Sequence, residues 1–398
     1  MTGTARLHIY LSSNFWDGLW VIQQPIAQEI GRTEPVLYVE QPVSIFTVLR
    51  RPGYWRRLFG FVRGLRRVQD QVHVLAPLPL FHLGHRFPRV YALELRLQRL
   101  WIERWARTFG ERPRVLWMDN PVYGSLAGRL GEQLTVYHVG DDIAAFDSSH
   151  APTMRRLEDE LLARADVVFA AAEHLAEARR PLNARTHAIA NAIDPASFAA
   201  EPAADTVAAV EAMPAPRVAL VGMMDSWVDV DLLAYAARAL PEVSFVVVGP
   251  WRVDDAPVRG LANVALLGRR DRREIAGILR RTSASLVPFR RTTLTERIMP
   301  VKIYEALAAG VMPIASDFST EVAALARSGR VWVGRSPDEF VSLIRRAIAE
   351  DSPSRRRELG AFGMRQTWGE RWREMDAILR EAEQPSRSMQ VVEPAHAV

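Results

Sequence analysis

Arg297-Ile298-Met299-Pro300-Val301-Lys302-Ile303-Tyr304-Glu305-Ala306-Leu307-Ala308-Ala309-Gly310-Val311-Met312-Pro313 is the run on which the reading of this chain turns. Pro300 can open a helix, because the N–H that proline lacks would have no partner in the first turn. Gly310 can close it. Between them Ile303, Ala306, Leu307 and Gly310 fall on one face and pack under a sheet, whereas Lys302 and Glu305, three apart, share another. A cation and a carboxylate thus leave the first turns together, beside a helix N-terminus whose free N–H groups and dipole attract anions. Such a set suits a diphosphate at Lys302 and ribose hydroxyls at Glu305. A core helix carrying a solvated Lys–Glu pair is the plainer alternative.

Outward from this helix, short β-branched runs alternate with amphipathic helical stretches, the pattern of parallel sheets covered by helices. Strands are predicted at Leu7 to Leu11, Val36 to Val39, Val72 to Leu75, Val115 to Met118, Thr135 to His138, Val167 to Ala170 and His187 to Ala190. A second set follows at Val218 to Val221, Ser244 to Val248, Val264 to Leu267, Ser285 to Pro288, Met312 to Ala315 and Val331 to Val333. From Tyr91 to Phe109 a helix is expected with Leu93, Leu97, Leu100 and Trp101 on its apolar stripe. The fold class is α/β, with two Rossmann-like doubly wound domains facing a cleft. Residues 1–195 make the first, 196–216 an Ala, Pro and Glu-rich linker, and 217–365 the second. A closing helix at 366–383 crosses back to the first domain, and 384–398 reads as a disordered tail. Ligands of such sheets bind beyond the carboxyl ends of the strands, so the facing ends line the cleft.

Composition narrows the chemistry. The 398 residues contain no cysteine, which excludes disulfides, a thiolate nucleophile and a cysteine-bound zinc. With neither a secretory leader nor 18 uninterrupted apolar residues in view, a cytoplasmic protein is expected, either free or lying on a membrane surface. The net charge of +5 comes from arginine, for Lys302 is the single lysine. Arginine forks suit phosphate and carboxylate, although a genome that favours arginine codons would give the same total. No zinc-finger or helix-turn-helix pattern accompanies the charge, so nucleic acid is not an expected partner. No G-x-G-x-x-G follows a first strand, which disfavours a nicotinamide enzyme.

The order Pro-x-Lys-x-x-Glu, then Leu-Ala-Ala-Gly-x-x-Pro, from Pro300 to Pro313, resembles the nucleotide-sugar helix of GT-B glycosyltransferases of the group 1 type that build bacterial cell-surface polysaccharides. The resemblance implies a nucleotide-diphosphate sugar as donor, Glu305 on its ribose and Lys302 on its diphosphate. Asn191-Ala192-Ile193-Asp194-Pro195 resembles the hinge of these enzymes, and Trp368 to Leu379 their closing helix. Gly222 and Gly249 end two strands where the donor backbone would pass close, and Arg269, after Gly268, is a candidate for phosphate. Retaining members carry a second glutamate eight positions before the ribose-binding one. Here that position is Arg297, with Glu296 one step out of register, so inversion and retention both stay open.

Inversion requires a base for the acceptor hydroxyl. Asp141 follows the strand Val136-Tyr137-His138 and resembles the catalytic aspartate of the inverting glucuronosyltransferases of xanthan assembly. A helix-capping role for the Asp141-Asp142 pair is the alternative. The polar and aromatic loop Ser12 to Trp20 offers Asp17 as a second base, with Asn14 and Trp16, together with His138, as acceptor contacts. Arg50 to Arg67 interleaves seven arginines with aromatics and suits an anionic membrane surface, where a lipid-linked glycan acceptor would wait. No metal cluster is visible, so no cofactor is expected, with Lys302 and arginines taking the place of a cation. An epimerase on the same fold and a non-catalytic sugar-binding subunit are the competing readings.

Overall fold

The computed structural model describes residues 5–18, 20–44, 48, 54–79, 88–142, 151–198 and 201–384. Strands β1 (Leu7–Leu11), β2 (Val36–Val39), β3 (Leu65–Gln69), β4 (Val72–Leu75), β5 (Arg114–Met118), β6 (Leu134–Val139), β7 (Val167–Ala170) and β8 (Thr186–Ala188) form one sheet, ordered β3-β4-β2-β1-β5-β6-β7-β8. Strands β9 (Arg217–Val221), β10 (Ser244–Val248), β11 (Val264–Gly268), β12 (Ala284–Val287), β13 (Met312–Ser316) and β14 (Trp332–Gly334) form the other, ordered β11-β10-β9-β12-β13-β14. The described pairings are parallel except that of β3 with β4. Central strands such as β1 and β10 are buried at every position, so they read as nearly continuous apolar runs, interrupted only by His8 and Ser244. The strand order reverses between β1 and β5 and again between β9 and β12, and each reversal opens a crevice at the carboxyl edge of its sheet.

The last helix, Trp368–Ala382, leaves the second domain and returns to the first. Trp368, Trp372, Met375 and Leu379 share a core with Ile26, Tyr38 and Trp117. Its far end is tied down by charge: the buried Arg6 guanidinium pairs with Glu34 at 2.7 Å, with Asp376 and, at 3.3 Å, with Glu383. His8 meets the same Glu34 carboxylate at 2.9 Å. Burial pushes the Glu34 carboxyl up, but the hydrogen bonds from His8 and Arg6 outweigh it and hold the group well below the usual range. Its contribution is therefore complete above the ordinary glutamate pKa of about 4.3 and is lost as pH falls through the depressed folded value. Glu34→Gln should lower unfolding free energy by about 3 kcal/mol at pH 7, the low end for a broken buried pair because Asp376 remains. Urea titrations should show that deficit shrinking below about pH 4 as the unaltered protein protonates.

Two expectations are corrected by the structure. The 196–216 linker is part of the second domain: Phe198 and Val210 sit in its core, the latter from a short helix, Ala204–Glu211. That helix buries only Thr206 and Val210, too few for a readable period. The helix over Pro88–Ala106 is present, but Leu93, Leu97 and Leu100 face outward, at 56%, 46% and 45% exposure, while Glu94 and Gln98 are buried. Within Arg50 to Arg67 the described part is a helical turn, Trp55–Leu58, continued by a 3-10 segment and then by edge strand β3; residues 49–53 lie outside the described residues. The expected tail from 385 onward lies outside them too. Among the described residues no helix is long and apolar enough to cross a membrane.

Candidate functional site

The helix that opens after Pro300 spans Val301–Ala308. Its lower face, Ile303, Ala306 and Leu307, is fully buried. Small residues are required behind it because the Pro353–Gly363 helix lies directly on top: a Cβ on Gly363 would stand 2.2 Å from the Ala308 nitrogen, and one on Gly310 2.7 Å from the Arg356 carbonyl oxygen. No side chain caps the N-terminus at Pro300, which leaves first-turn N–H groups open to a ligand. Lys302 Nζ donates to Glu305 Oε2 at 2.8 Å, and both side chains stay partly open, at 32% and 14% exposure.

Pro300, Lys302 and Glu305 line a cavity of about 300 Å³ between the domains. The first domain contributes Trp20 and Asp141, the hinge Asn191 and Asp194, and the second domain also Arg272. Beneath Lys302 the ends of β9 and β10 meet. Gly222 and Gly249 have φ of 150° and 141°; a Cβ on Gly249 would fall 1.6 Å from the Gly222 carbonyl oxygen, and one on Gly222 4.0 Å from Lys302 Cε. Gly249 has no room for a side chain, whereas Gly222 is held to glycine by its positive φ. Gly249→Ala should destabilise the second domain by about 3 kcal/mol or more, seen as a lower and separate thermal transition with nucleotide-sugar binding lost.

The arginine of this cavity is Arg272, not Arg269. Arg269 is exposed past the end of β11 and is not part of the cavity wall. Arg272 opens the Arg272–Arg280 helix, whose first turn is held by a reciprocal Asp271–Glu274 cap. From there it pairs with Asp194 at 2.5 Å and lies 5.0 Å over the Trp20 ring, joining hinge, first domain and second domain. The signal for it in the sequence was that cap, Asp271-x-x-Glu274, which places the intervening arginine at a helix start.

Asp119, Glu40 and Asp141 follow strands β5, β2 and β6 of the first sheet, and their surroundings differ. Asp119, after β5, is buried and accepts from the Ser13 backbone N–H at 2.9 Å and from the Ser13 and Ser12 hydroxyls, so it holds the loop after β1. Burial pushes its carboxyl up to about 6. Glu40, after β2, accepts from the Trp16 N–H at 2.9 Å and lines a second cavity inside the first domain. Asp141, after β6, reaches the interdomain cavity; it is crowded by protein yet open to solvent across the cleft. Crowding first, then the charge of Asp142, pushes its carboxyl up to about 6. Sequence reasoning passed over Asp119 and Glu40, although each shows the same acid-after-strand signal as Asp141.

The other first-domain candidates are placed elsewhere. Asp17 is exposed and paired with Arg57 at 2.8 Å, with its carboxyl held below the usual range, an arrangement unsuited to a base. His138 is a core residue: it is buried, bonded to the Tyr10 hydroxyl at 2.9 Å and set edge-on to Trp117. Burial pushes its pKa down to about 4. Trp16 packs edge-on against Trp20 and Tyr38, and Asn14 bonds to Gln23 within its own domain. Both shape the loop and neither lines the interdomain cavity.

Residues 215–350, the second domain with its Lys302–Glu305 helix, match the family model described as Glycosyl transferases group 1. The second domain is thus similar to group 1 glycosyltransferases, and the chain as a whole has the two-domain GT-B fold. TuaH of Bacillus subtilis (strain 168), named as a teichuronic acid biosynthesis glycosyltransferase, is 21% identical over 271 residues, 63% of this chain and 67% of the relative. Among solved structures, sucrose-phosphate synthase from Thermosynechococcus elongatus superposes with a TM-score of 0.67 at 16% identity, covering 94% of this chain and 98% of that one. Anabaena HepE, solved with UDP and glucose, gives 0.65 at 16% identity, covering 94% and 100%. These structures share the fold over both domains of this chain, while the family match is confined to the second.

Proposed function

We propose that the enzyme moves a sugar from a nucleoside-diphosphate donor to a lipid-linked glycan on the inner face of a membrane, in the assembly of a surface polysaccharide. One observation carries the reading: the only lysine among 51 basic residues stands at an uncapped helix N-terminus, paired with Glu305, in a cavity that Asp141 enters from the opposite domain. A compact ammonium serves as a point charge for a diphosphate there. The UDP and glucose bound in HepE support a nucleotide sugar as ligand, and the name of TuaH supports a surface-glycan product.

In the proposed reaction the acceptor hydroxyl attacks the anomeric carbon while the bond from that carbon to the diphosphate oxygen breaks. The leaving electron pair goes to the diphosphate, where Lys302, Arg272 and the open helix N–H groups stabilise it. Asp141 takes the acceptor proton. The ribose hydroxyls bond to Glu305. The membrane partner is supported by exposed Trp55, Phe59 and Val62 beside exposed Arg56, Arg63, Arg66 and Arg67. A thermal-shift panel of nucleotide sugars selects the donor; that donor, labelled in its sugar and incubated with membranes in excess chelator, should pass label into the organic-extractable fraction. Label retained on the donor would remove the lipid-linked acceptor, isomerised donor would favour an epimerase, and rescue by a divalent cation would remove the metal-independent mechanism.

A further inference from the structure

The first domain holds a cavity of about 550 Å³ that the proposed reaction does not use. It lies within the roughly 300–1,000 Å³ range of ligand sites and is far too large for a packing defect. Leu95, Ile102, Leu126, Met154 and Leu157 make much of its wall. At one edge Ser13, Glu40 and Asn120 follow β1, β2 and β5; Glu94, Gln98, Thr153 and Arg156 of the covering helices also line the cavity. In a parallel sheet those strand-end positions share one edge with Asp141, which follows β6. The cavity is thus mostly apolar and reaches the sheet edge on which Asp141 lies.

Its outer wall is the Pro88–Ala106 helix, which turns leucines outward and both apolar and polar residues, Glu94 and Gln98 among them, inward. Inward it gives Leu95 and Ile102 to the cavity; outward it exposes Leu93, Leu97 and Leu100 at spacings of four and three. Polar Gln98 is turned inward, bonded to the Leu78 backbone at both its N–H and its carbonyl. A helix facing water would reverse this arrangement. Exposed Arg89, Arg96 and Arg104 flank the leucines, a combination that complements anionic headgroups over acyl chains.

We propose that this cavity binds the hydrocarbon chain of the acceptor lipid, with the Pro88–Ala106 helix seated in the anionic bilayer surface from which the lipid comes. The inference rests on the lipid-linked acceptor of the proposed function and names where its chain lies. Alkyl maltosides of increasing chain length, titrated below micelle formation by calorimetry, should bind about fourfold more tightly per added methylene. The Leu95→Trp, Met154→Trp double variant should lose that dependence while keeping nucleotide-sugar affinity. A diazirine-bearing dodecyl maltoside should label segments 91–102 and 153–157 of the unaltered protein, which localises the chain even where the filled variant does not fold. Affinity independent of chain length, labelling confined to other segments, or a length dependence that survives in the folded double variant would each overturn the proposal. Nucleotide-sugar binding in the same samples separates the two ideas: intact donor binding without chain dependence refutes only the cavity, and the reverse refutes only the donor site.

Discussion

Asp141→Asn is expected to lower turnover by about 10²–10⁴-fold, the usual contribution of a positioned base, while donor affinity changes by less than about twofold. The amide keeps the shape of the side chain and its place in the cleft but cannot accept the proton. The pH dependence gives a second readout that a merely structural role would not move. Crowding, and then the Asp142 charge, places the Asp141 carboxyl at about 6. The base works when ionised, so turnover of the unaltered enzyme should fall as pH drops through that value, about tenfold for each further unit. In the variant this acid limb should disappear. Initial rates between pH 5 and 8 with saturating donor decide the matter, and an acid limb unchanged in Asp141→Asn would reassign the base.

Glu305→Ala is expected to raise the dissociation constant for the nucleotide sugar by about 10- to 100-fold, the loss of one or two charge-assisted hydrogen bonds to ribose. The fold should survive, because Lys302 is partly open and water can replace its partner. Calorimetry on the variant, with thermal melts as the folding control, measures the effect. Lys302 provides an independent check. As the chain's single lysine, it is the one side-chain amine that acylating reagents can modify. A bound nucleoside diphosphate should protect it in the unaltered enzyme and, at the same concentration, protect it poorly in Glu305→Ala. Equal donor affinity in both proteins would move the ribose away from Glu305.

Much of the architecture could be read from local pattern. Strands buried on both faces, such as β1, β2 and β10, appear as largely apolar runs rich in β-branched, leucine and aromatic residues, and their expected spans agree with those observed. Edge strand β3 was missed because it is half-exposed and arginine-rich, Leu65-Arg66-Arg67-Val68-Gln69, with little apolar area to announce it. The Pro88–Ala106 helix shows the opposite failure. Its leucines have the right period, yet they point away from the core while Glu94 and Gln98 point in. Period identifies a helix face but does not say which solvent that face meets.

The candidate site divides along the same line. Lys302, Glu305, Pro300, Gly222 and Gly249 were legible because local geometry sets them: a helix start, an i to i+3 spacing, and strand ends whose positive φ favours glycine. Arg272, Asp119 and Glu40 were not, and Asp17 and His138 were overvalued, because an acid or a histidine after a strand has no meaning until its neighbours are known. Arg57 neutralises Asp17, Tyr10 and Trp117 enclose His138, and the serines after β1 occupy Asp119.

The sequence by itself determined the two sheets, their parallel sense and the pairing of one cation with one carboxylate on a helix turn, since periodicity, turn chemistry and backbone sterics act over a few residues. Only the tertiary structure decided which acid reaches the space between the domains, which arginine joins it, and that a leucine ridge faces outward over an apolar cavity. Those outcomes depend on burial and electrostatic surroundings assembled from residues more than a hundred positions apart, such as Asp141 and Lys302, and no local rule carries that information.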